Sequence, residues 1–338
     1  MKPTDFAYLL TRYLGIHLST TVGASKNSIL SYRDTYLLFL RYCALKKGIK
    51  AERFTLDLFT RDIVEGFLLW LEVERGNSVS TRNQRLAAIH AFCKYIQYEQ
   101  PQSLYSIQEV LSIPIKRMRQ KAPAYLSVGE VKELLSQPDR KTKEGRRDMT
   151  LLGLLYDTGA RVQEIADLNV ADIRLERPST VILTGKGNKT RVVPLSSSMT
   201  TILSAYMEEH RLLEPACKSH SLFTNRFGNR FTRFGIAYIL KRHASSASTK
   251  LSSVPEKITP HILRHSKAMH LLQAGVNLVY IRDILGHSSI QTTEVYARAD
   301  GEMKRKAFEK AHSPVESKEL PKWQRNPVLL NWLVDLGK

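Results

Sequence analysis

The sequence predicts a mainly α-helical chain in two domains, the second of which carries a small antiparallel β-sheet. Three observations lead there. Apolar residues recur at helical spacing over residues 26–46, 56–74 and 79–98, each tract long enough to bury one face of a helix. Two β-branched runs, Thr180-Val-Ile-Leu-Thr184 and Arg191-Val-Val-Pro-Leu195, are separated by Gly185-Lys-Gly-Asn-Lys-Thr190, the pattern of a β-hairpin. Between the helical tracts and the hairpin, residues 113–124 read IPIKRMRQKAPA, with two prolines and four basic residues, the composition of a linker. The domains are therefore placed at 1–112 and 125–338, joined by a basic linker at 113–124.

With 338 residues and an apolar fraction of 43%, the chain can bury a core in each domain. Its 51 Lys and Arg against 32 Asp and Glu leave a net charge of +19, which points to a polyanionic partner. The excess is +8 over residues 1–124 and +11 over the remainder, so both domains are expected to face nucleic acid, rather than a basic tail being attached to a neutral enzyme. No apolar run is long enough to span a membrane, and the N-terminal MKPTDFAYLL lacks the layout of a signal peptide, so no membrane partner is expected. Cys43, Cys93 and Cys217 are odd in number and show no metal-like spacing, which reads as reduced packing residues in a cytosolic protein.

Taken in order, residues 1–23 offer a short helix around Phe6, Tyr8, Leu9, Leu10 and Leu14. In the 26–46 helix, Ile29, Tyr32, Tyr36, Leu37, Phe39 and Leu40 form the apolar stripe, leaving Lys26, Arg33 and Arg41 to the polar face. The 79–98 helix opens on Ser80-Thr-Arg-Asn-Gln-Arg85, whose basic and amide groups are expected to reach phosphates and base edges. A short helix at 107–111 closes an N-terminal bundle. In the second domain, Ser127 and Glu130 have capping-box spacing at the head of a helix over 127–135, and 147–156 is an apolar, buried helix. Gly159 ends it, and Arg161 begins the next short helix with Glu164 one turn on. Further helices are expected at 197–213 and 232–245, where Arg226, Arg230, Arg233, Lys241 and Arg242 mark a surface for DNA. The hairpin turn is no P-loop, because GNKT lacks the Gly-Lys-Ser/Thr order and the strand-to-helix setting; Lys189 and Arg191 are instead expected on backbone phosphates.

The segment from Pro260 to Ala299 gathers the most chemistry. Thr259 reads as an N-cap with Pro260 at the first helical position, so His261 and Arg264 fall in the opening turns, on one face of the helix. An anion lying at such a terminus would meet free N–H groups, an imidazole and a guanidinium together. Gly275 and Gly286 end successive helices, and Ser288 or Ser289 caps a last one bearing Tyr296.

The pattern His261-x-x-Arg264, Leu285-Gly286-His287 and a Tyr296 nine residues beyond His287 resembles the C-terminal signature of the tyrosine recombinases, the phage-integrase family of DNA strand-exchange enzymes. TGARVQEI around Arg161 is similar to that family's first arginine box, with Ala160 where leucine is more usual, and Lys186 matches its hairpin lysine. The N-terminal bundle resembles the family's core-binding domain in helical layout alone. The resemblance implies a core-binding bundle and a mixed α catalytic domain forming a clamp around DNA. It implies six catalytic residues: Arg161 and Arg264 holding the scissile phosphate, Tyr296 as nucleophile, His261 sharing its proton, Lys186 protonating the departing 5′-oxygen, and His287 supporting the phosphate. It implies no cofactor, metal ion or ATP, because the phosphotyrosyl link conserves the bond energy. Its implied partners are double-stranded DNA with inverted core sites, a homotetramer on synapsed DNA, and an accessory directionality factor, in the bacterial cytoplasm at the nucleoid. The function implied is site-specific recombination that integrates and excises a mobile element such as a transposon. Chromosome- or plasmid-dimer resolution by the same chemistry and topoisomerase-like strand passage are the alternatives. A non-enzymatic DNA-binding module would explain the charge and the helices but not six matching positions. A helix at 302–311 and the apolar tail NPVLLNWLVDL are expected to follow Tyr296, the tail packing on its own chain or exchanged onto a neighbouring subunit.

Overall fold

The computed structural model describes residues 2–118, 123–185, 187–287, 289–299 and 334–336. Lys186, Ser288, the helix expected at 302–311 and most of the apolar tail lie outside the described residues. The chain separates into two compact units, 1–120 and 121–338.

The first unit is a helical bundle. Helix α1 (Asp5–Arg12) starts on the Thr4 cap and runs on as a π-helical stretch over Tyr13–Thr21. Helix α2 (Lys26–Lys47) is capped by Ser25 and ended by Gly48 in the left-handed conformation; α3 (Arg61–Val73), α4 (Val79–Glu99) and α5 (Leu104–Leu111) follow. Their shared core is aromatic. Phe6 packs edge-on to Phe54 and Phe92, with ring centroids at 4.8 and 5.7 Å, and lies 5.4 Å from Phe59. Rings fully removed from water carry roughly 1.5–3 kcal/mol each by burial alone. Helix α3 begins five residues later than the apolar pattern indicated. Phe54, Leu56 and Phe59 are buried from a loop, and the Leu56 amide donates to the Asp5 carboxylate at 3.0 Å, so tertiary contacts satisfy this segment without helix.

The start of α4 also differs in role from its expectation. Arg82 is buried and donates to the Pro114 carbonyl at 3.0 Å; the Asn83 amide donates to the Lys116 carbonyl at 2.8 Å; Arg85 donates to the Ser31 carbonyl at 3.0 Å. Three of the four basic and amide side chains offered to nucleic acid thus hold the bundle and the start of the linker together, and Lys116 pairs with Glu72.

The second unit opens with α6 (Val128–Ser136), whose Ser127–Glu130 capping box is complete. Helix α7 (Lys143–Thr158) starts four residues ahead of its apolar tract because Thr142 caps it, and α8 (Val162–Asp167) follows the Gly159 turn. Strands β1 (Ile173–Arg174), β2 (Thr180–Thr184) and β3 (Thr190–Pro194) form one antiparallel sheet in the order β1-β2-β3, with Leu183 opposite Arg191. Then come α9 (Ser197–Glu209), α10 (Arg233–Lys250), α11 (Pro260–Gln273), α12 (Leu278–Leu285) and α13 (Gln291–Ala299). Helix α11 lies against α7, and its buried Ser266 hydroxyl accepts the Leu126 amide at 2.8 Å. Among the described residues no helix is long and apolar enough to cross a membrane, and the three cysteines are free, with Cys43 and Cys93 buried.

Helix α10 is tied to α7 through Asp148, which is fully buried. Its carboxylate accepts from Arg147 at 2.8 Å, from Arg242, and pairs with His243 at 3.1 Å. Burial alone would raise this carboxyl, but the hydrogen bonds from His243 and Arg147 and the charges of Arg147 and Arg242 outweigh it and hold it below its ordinary value of 3.8. The group therefore adds stability that is present above pH 3.8 and is lost as pH falls through the depressed value. Asp148→Asn is expected to destabilise the fold by about 1–3 kcal/mol at neutral pH, since it leaves the half-buried Arg147 and the buried His243 without their anion, while the exposed Arg242 can turn to solvent. In urea melts against pH, the variant should also show a shallower acid loss of stability than the parent.

Candidate active site

The site is built on the C-terminal end of α12. A helix ends with carbonyls that have no intrahelical partner and with a partial negative charge. Here three guanidinium groups from distant parts of the chain take three successive carbonyls. Arg191 Nε, from β3, donates to Ile284 O at 2.7 Å. Arg264 Nη2, from α11, donates to Leu285 O at 2.6 Å, and its Nη1 to Gly159 O at 2.8 Å. Arg161 Nη2, at the N-cap of α8, donates to Gly286 O at 3.1 Å. Gly286 is left-handed, with φ of 65°, and a Cβ there would come within 2.9 Å of the Arg191 guanidinium, so both the backbone and the packing require glycine. Gly159 repeats the case: its φ is 59°, and a Cβ would lie 2.8 Å from the Leu285 side chain.

One buried carboxylate balances part of this charge. Glu164, three residues into α8, accepts the Arg161 amide at 2.8 Å, Arg161 Nη1 at 2.8 Å, and both Arg191 Nη groups at 3.0 and 2.7 Å. Burial pushes its carboxyl up, but the Arg191 hydrogen bonds and the Arg161 amide prevail, so it stays ionised. Arg191 is thus committed to Glu164 and Ile284, not a free backbone-phosphate contact. It still lines the cleft of about 860 Å³ that opens here, together with Arg161, Lys189, Arg282, Gly286 and His287. Three guanidiniums against Glu164 leave a surplus of positive charge beside that cleft, the electrostatic condition for binding an anion.

His287, directly after the Gly286 turn, shares a hydrogen bond with the Thr293 hydroxyl through Nδ1 at 2.9 Å. Burial, then the charges of Arg264 and Arg161, push its imidazole down to about 4, so it is neutral near neutral pH. Burial likewise lowers Arg264 to about 10, with Arg161 adding to the effect, and it keeps its charge. Tyr296, on α13, is 2% exposed; its ring lies nearly parallel to that of His287, with centroids 6.4 Å apart. Burial raises the phenol and Arg264 partly offsets it. The hydroxyl pairs with His265 Nδ1 at 2.8 Å.

Of the six residues expected at the site, Arg161 and His287 line the cleft, and Arg264 and Tyr296 are buried next to them. His261 is exposed on the first turn of α11, its ring 6.5 Å from that of His265. Lys186 lies outside the described residues. The Arg264 guanidinium is not presented at the N-terminus of α11, where the His261–Arg264 spacing placed it, but is drawn to the end of α12. Sequence reasoning missed His265 and Thr293. The four-residue spacing of His261 and His265 places both on one helix face and was a usable signal; nothing local marks Thr293.

The basic surface at 226–242 also divides. Arg230 donates to the Ala166 carbonyl and to Asn169, and Arg242 holds Asp148. Arg226, Arg233 and Lys241 remain exposed, Arg226 over the Phe227 ring at 4.6 Å and Arg233 over the Phe234 ring at 4.8 Å. Among the described residues no group of three His, Cys, Asp or Glu is placed to hold a metal ion.

Comparison with known proteins matches residues 124–303 to the phage integrase family. A Sinorhizobium fredii protein named as an integrase/recombinase, y4rC, is 36% identical over 318 residues, 94% of each chain. The tyrosine recombinase XerD of Listeria monocytogenes is 34% identical over 276 residues, 81% of this chain and 88% of its own. Among solved structures, the Tn1549 transposon integrase in complex with transposon right end DNA shares the fold with a TM-score of 0.69 at 17% identity, over 90% of this chain and 99% of that one. The arginine cluster with Tyr296 beside it, the family match and these relatives together establish that the chain belongs to the phage integrase family, the tyrosine recombinases, which break and rejoin DNA.

Proposed function

We propose that the chain is a site-specific DNA recombinase that cleaves and rejoins duplex DNA through a 3′-phosphotyrosine on Tyr296 and serves the integration and excision of a mobile element. The observation that carries this is the gathering of Arg161, Arg191 and Arg264 on successive carbonyls beside a cleft, with the Tyr296 ring against His287. A phosphodiester seated in that cleft would meet fixed cations where charge develops as the phenolic oxygen attacks phosphorus. Guanidinium suits the task because it is always charged and donates in a planar fork. His287, neutral, is free to donate a hydrogen bond to the phosphate. Lys186 protonates the departing 5′-oxygen, and attack by another strand's 5′-hydroxyl reverses the step.

The mobile-element role draws on the integrase naming of y4rC, which is similar over nearly the whole chain. Dimer resolution is the second reading, favoured by the similarity to XerD. The exposed Arg226, Arg233 and Lys241, with both units' excess charge, support double-stranded DNA as the partner, and inverted core sites follow from the recombinase reading. Assembly as a homotetramer, with an accessory factor setting direction, completes the proposal.

A nicked duplex carrying the sequence that the full-length chain selects from a random duplex pool supplies the test. The parent should form a covalent protein–DNA adduct, and Tyr296→Phe should bind the same duplex without forming one. Arg161→Ala should lower adduct formation by about 100-fold or more while duplex binding changes little. An adduct that persists in Tyr296→Phe would sink the assignment. Mapping the selected sequence on the source genome separates the two roles: copies at both ends of the segment holding this gene support integration, and a single distant chromosomal copy supports dimer resolution. Truncation after Pro314 should abolish tetramers on DNA if the tail is exchanged between subunits, and leave them intact if it packs on its own chain.

A further inference from the structure

The hydroxyl of Tyr296 has one hydrogen-bond partner of a chemistry that could take its proton. His265, one residue beyond Arg264 on α11, meets Tyr296 Oη through Nδ1 at 2.8 Å, with the two rings 5.6 Å apart. Both groups are largely withdrawn from water. We propose that His265 is the proton acceptor for the Tyr296 nucleophile, a seventh catalytic residue beyond the six of the motif; this rests on the reading of the site given above.

The surroundings favour the required protonation states. The charged and titratable groups around His265 are His261 and Arg264 on α11, Tyr296 on α13, which also bears Glu294, and His287 at the end of α12. Burial lowers the imidazole below its usual 6.5, and His261 and Arg264 lower it further, so it is neutral and able to accept. Burial raises the phenol, so it stays protonated in the free chain and needs a base to become a nucleophile. For this role the phenol O–H donates to Nδ1 and the imidazole keeps its proton on Nε2. During cleavage the Tyr296 oxygen bonds to phosphorus as its proton passes to His265 Nδ1. The P–O5′ bond breaks, and the 5′-oxygen leaves with a proton from Lys186. When the 5′-hydroxyl of a second strand attacks, its proton passes to the now neutral Lys186 amine, and the imidazolium returns its proton to the phenolic oxygen as Tyr296 departs.

The alternative for the same contact is a latch that only stores the tyrosine. His265→Asn separates the two, because its side-chain oxygen stands where Nδ1 stood and retains the hydrogen bond without the basicity. On the nicked duplex, His265→Asn in the full-length chain is expected to form adduct about 100-fold more slowly than the parent at neutral pH, the deficit narrowing as rising pH ionises the phenol. With a duplex whose scissile 5′-oxygen is replaced by sulfur, a leaving group that needs no acid, the deficit should persist. A deficit equal at every pH, one abolished by the sulfur substrate, or a rate at or above the parent's would each overturn the proposal. Should the variant fold poorly in thermal melts, 15N NMR of the parent's histidines decides the matter: His265 must show an unprotonated Nδ1 and a protonated Nε2, and the opposite tautomer rejects it. Absence of adduct in the parent, or its persistence in Tyr296→Phe, would instead fail the reading of the site on which this rests.

Discussion

The site depends on how the end of α12 is closed. Carbonyls 284, 285 and 286 emerge from the negative end of a helix, and each is taken by a different arginine, from β3, α11 and the start of α8. That single arrangement explains why leucine, glycine and histidine follow one another here. Leu285 is fully buried and fixes the helix end against Gly159; Gly286 turns the chain where any side chain would strike Arg191; His287 is delivered beside the guanidiniums. Arg161, the more exposed of the three, uses only some of its donors on Glu164 and Gly286, which leaves others for an anion in the cleft.

Like charges held this close repel, and the fold answers with Glu164 instead of with solvent. Its carboxylate binds Arg161 and Arg191 but makes no hydrogen bond to Arg264, so the cluster stays cationic and preorganised. The surplus is visible in its neighbours: the His287 imidazole is pushed down to about 4 and the Arg264 guanidinium to about 10. A phosphate entering the cleft would relieve both. Binding and charge relief are then the same event, and no reorganisation of the protein dipoles is needed when negative charge grows on the phosphate.

Much of this was legible in the sequence because it is local. Caps at Ser127 and Thr259, the left-handed Gly159 and Gly286, and the hairpin joining Thr184 to Thr190 all follow from nearest-neighbour rules. Arg161, Arg264, His287 and Tyr296 were singled out through the resemblance to family motifs. What spacing could not give is where a long side chain ends. Arg191 alternates correctly on β3 yet turns to Glu164; Arg82 and Arg85 sit at a helix start suited to DNA yet bind carbonyl oxygens within the bundle; Arg230 and Arg242 look like surface charge yet anchor α8 and α10. In each case the deciding partner is far away in sequence. The loop at Leu56 and Phe59 was misread as helix for the same reason, since its apolar residues reach the core without one.

The central claim, that three guanidiniums crowd one uncompensated anion seat, is tested most directly by titrating His287 in the free full-length chain, following its ring carbon by NMR and assigning it with His287→Gln. The account predicts a midpoint pushed down to about 4 that rises when inorganic phosphate is added. A midpoint near the ordinary 6.5, unmoved by phosphate, would mean that the arginines are not gathered around this histidine, and would contradict it.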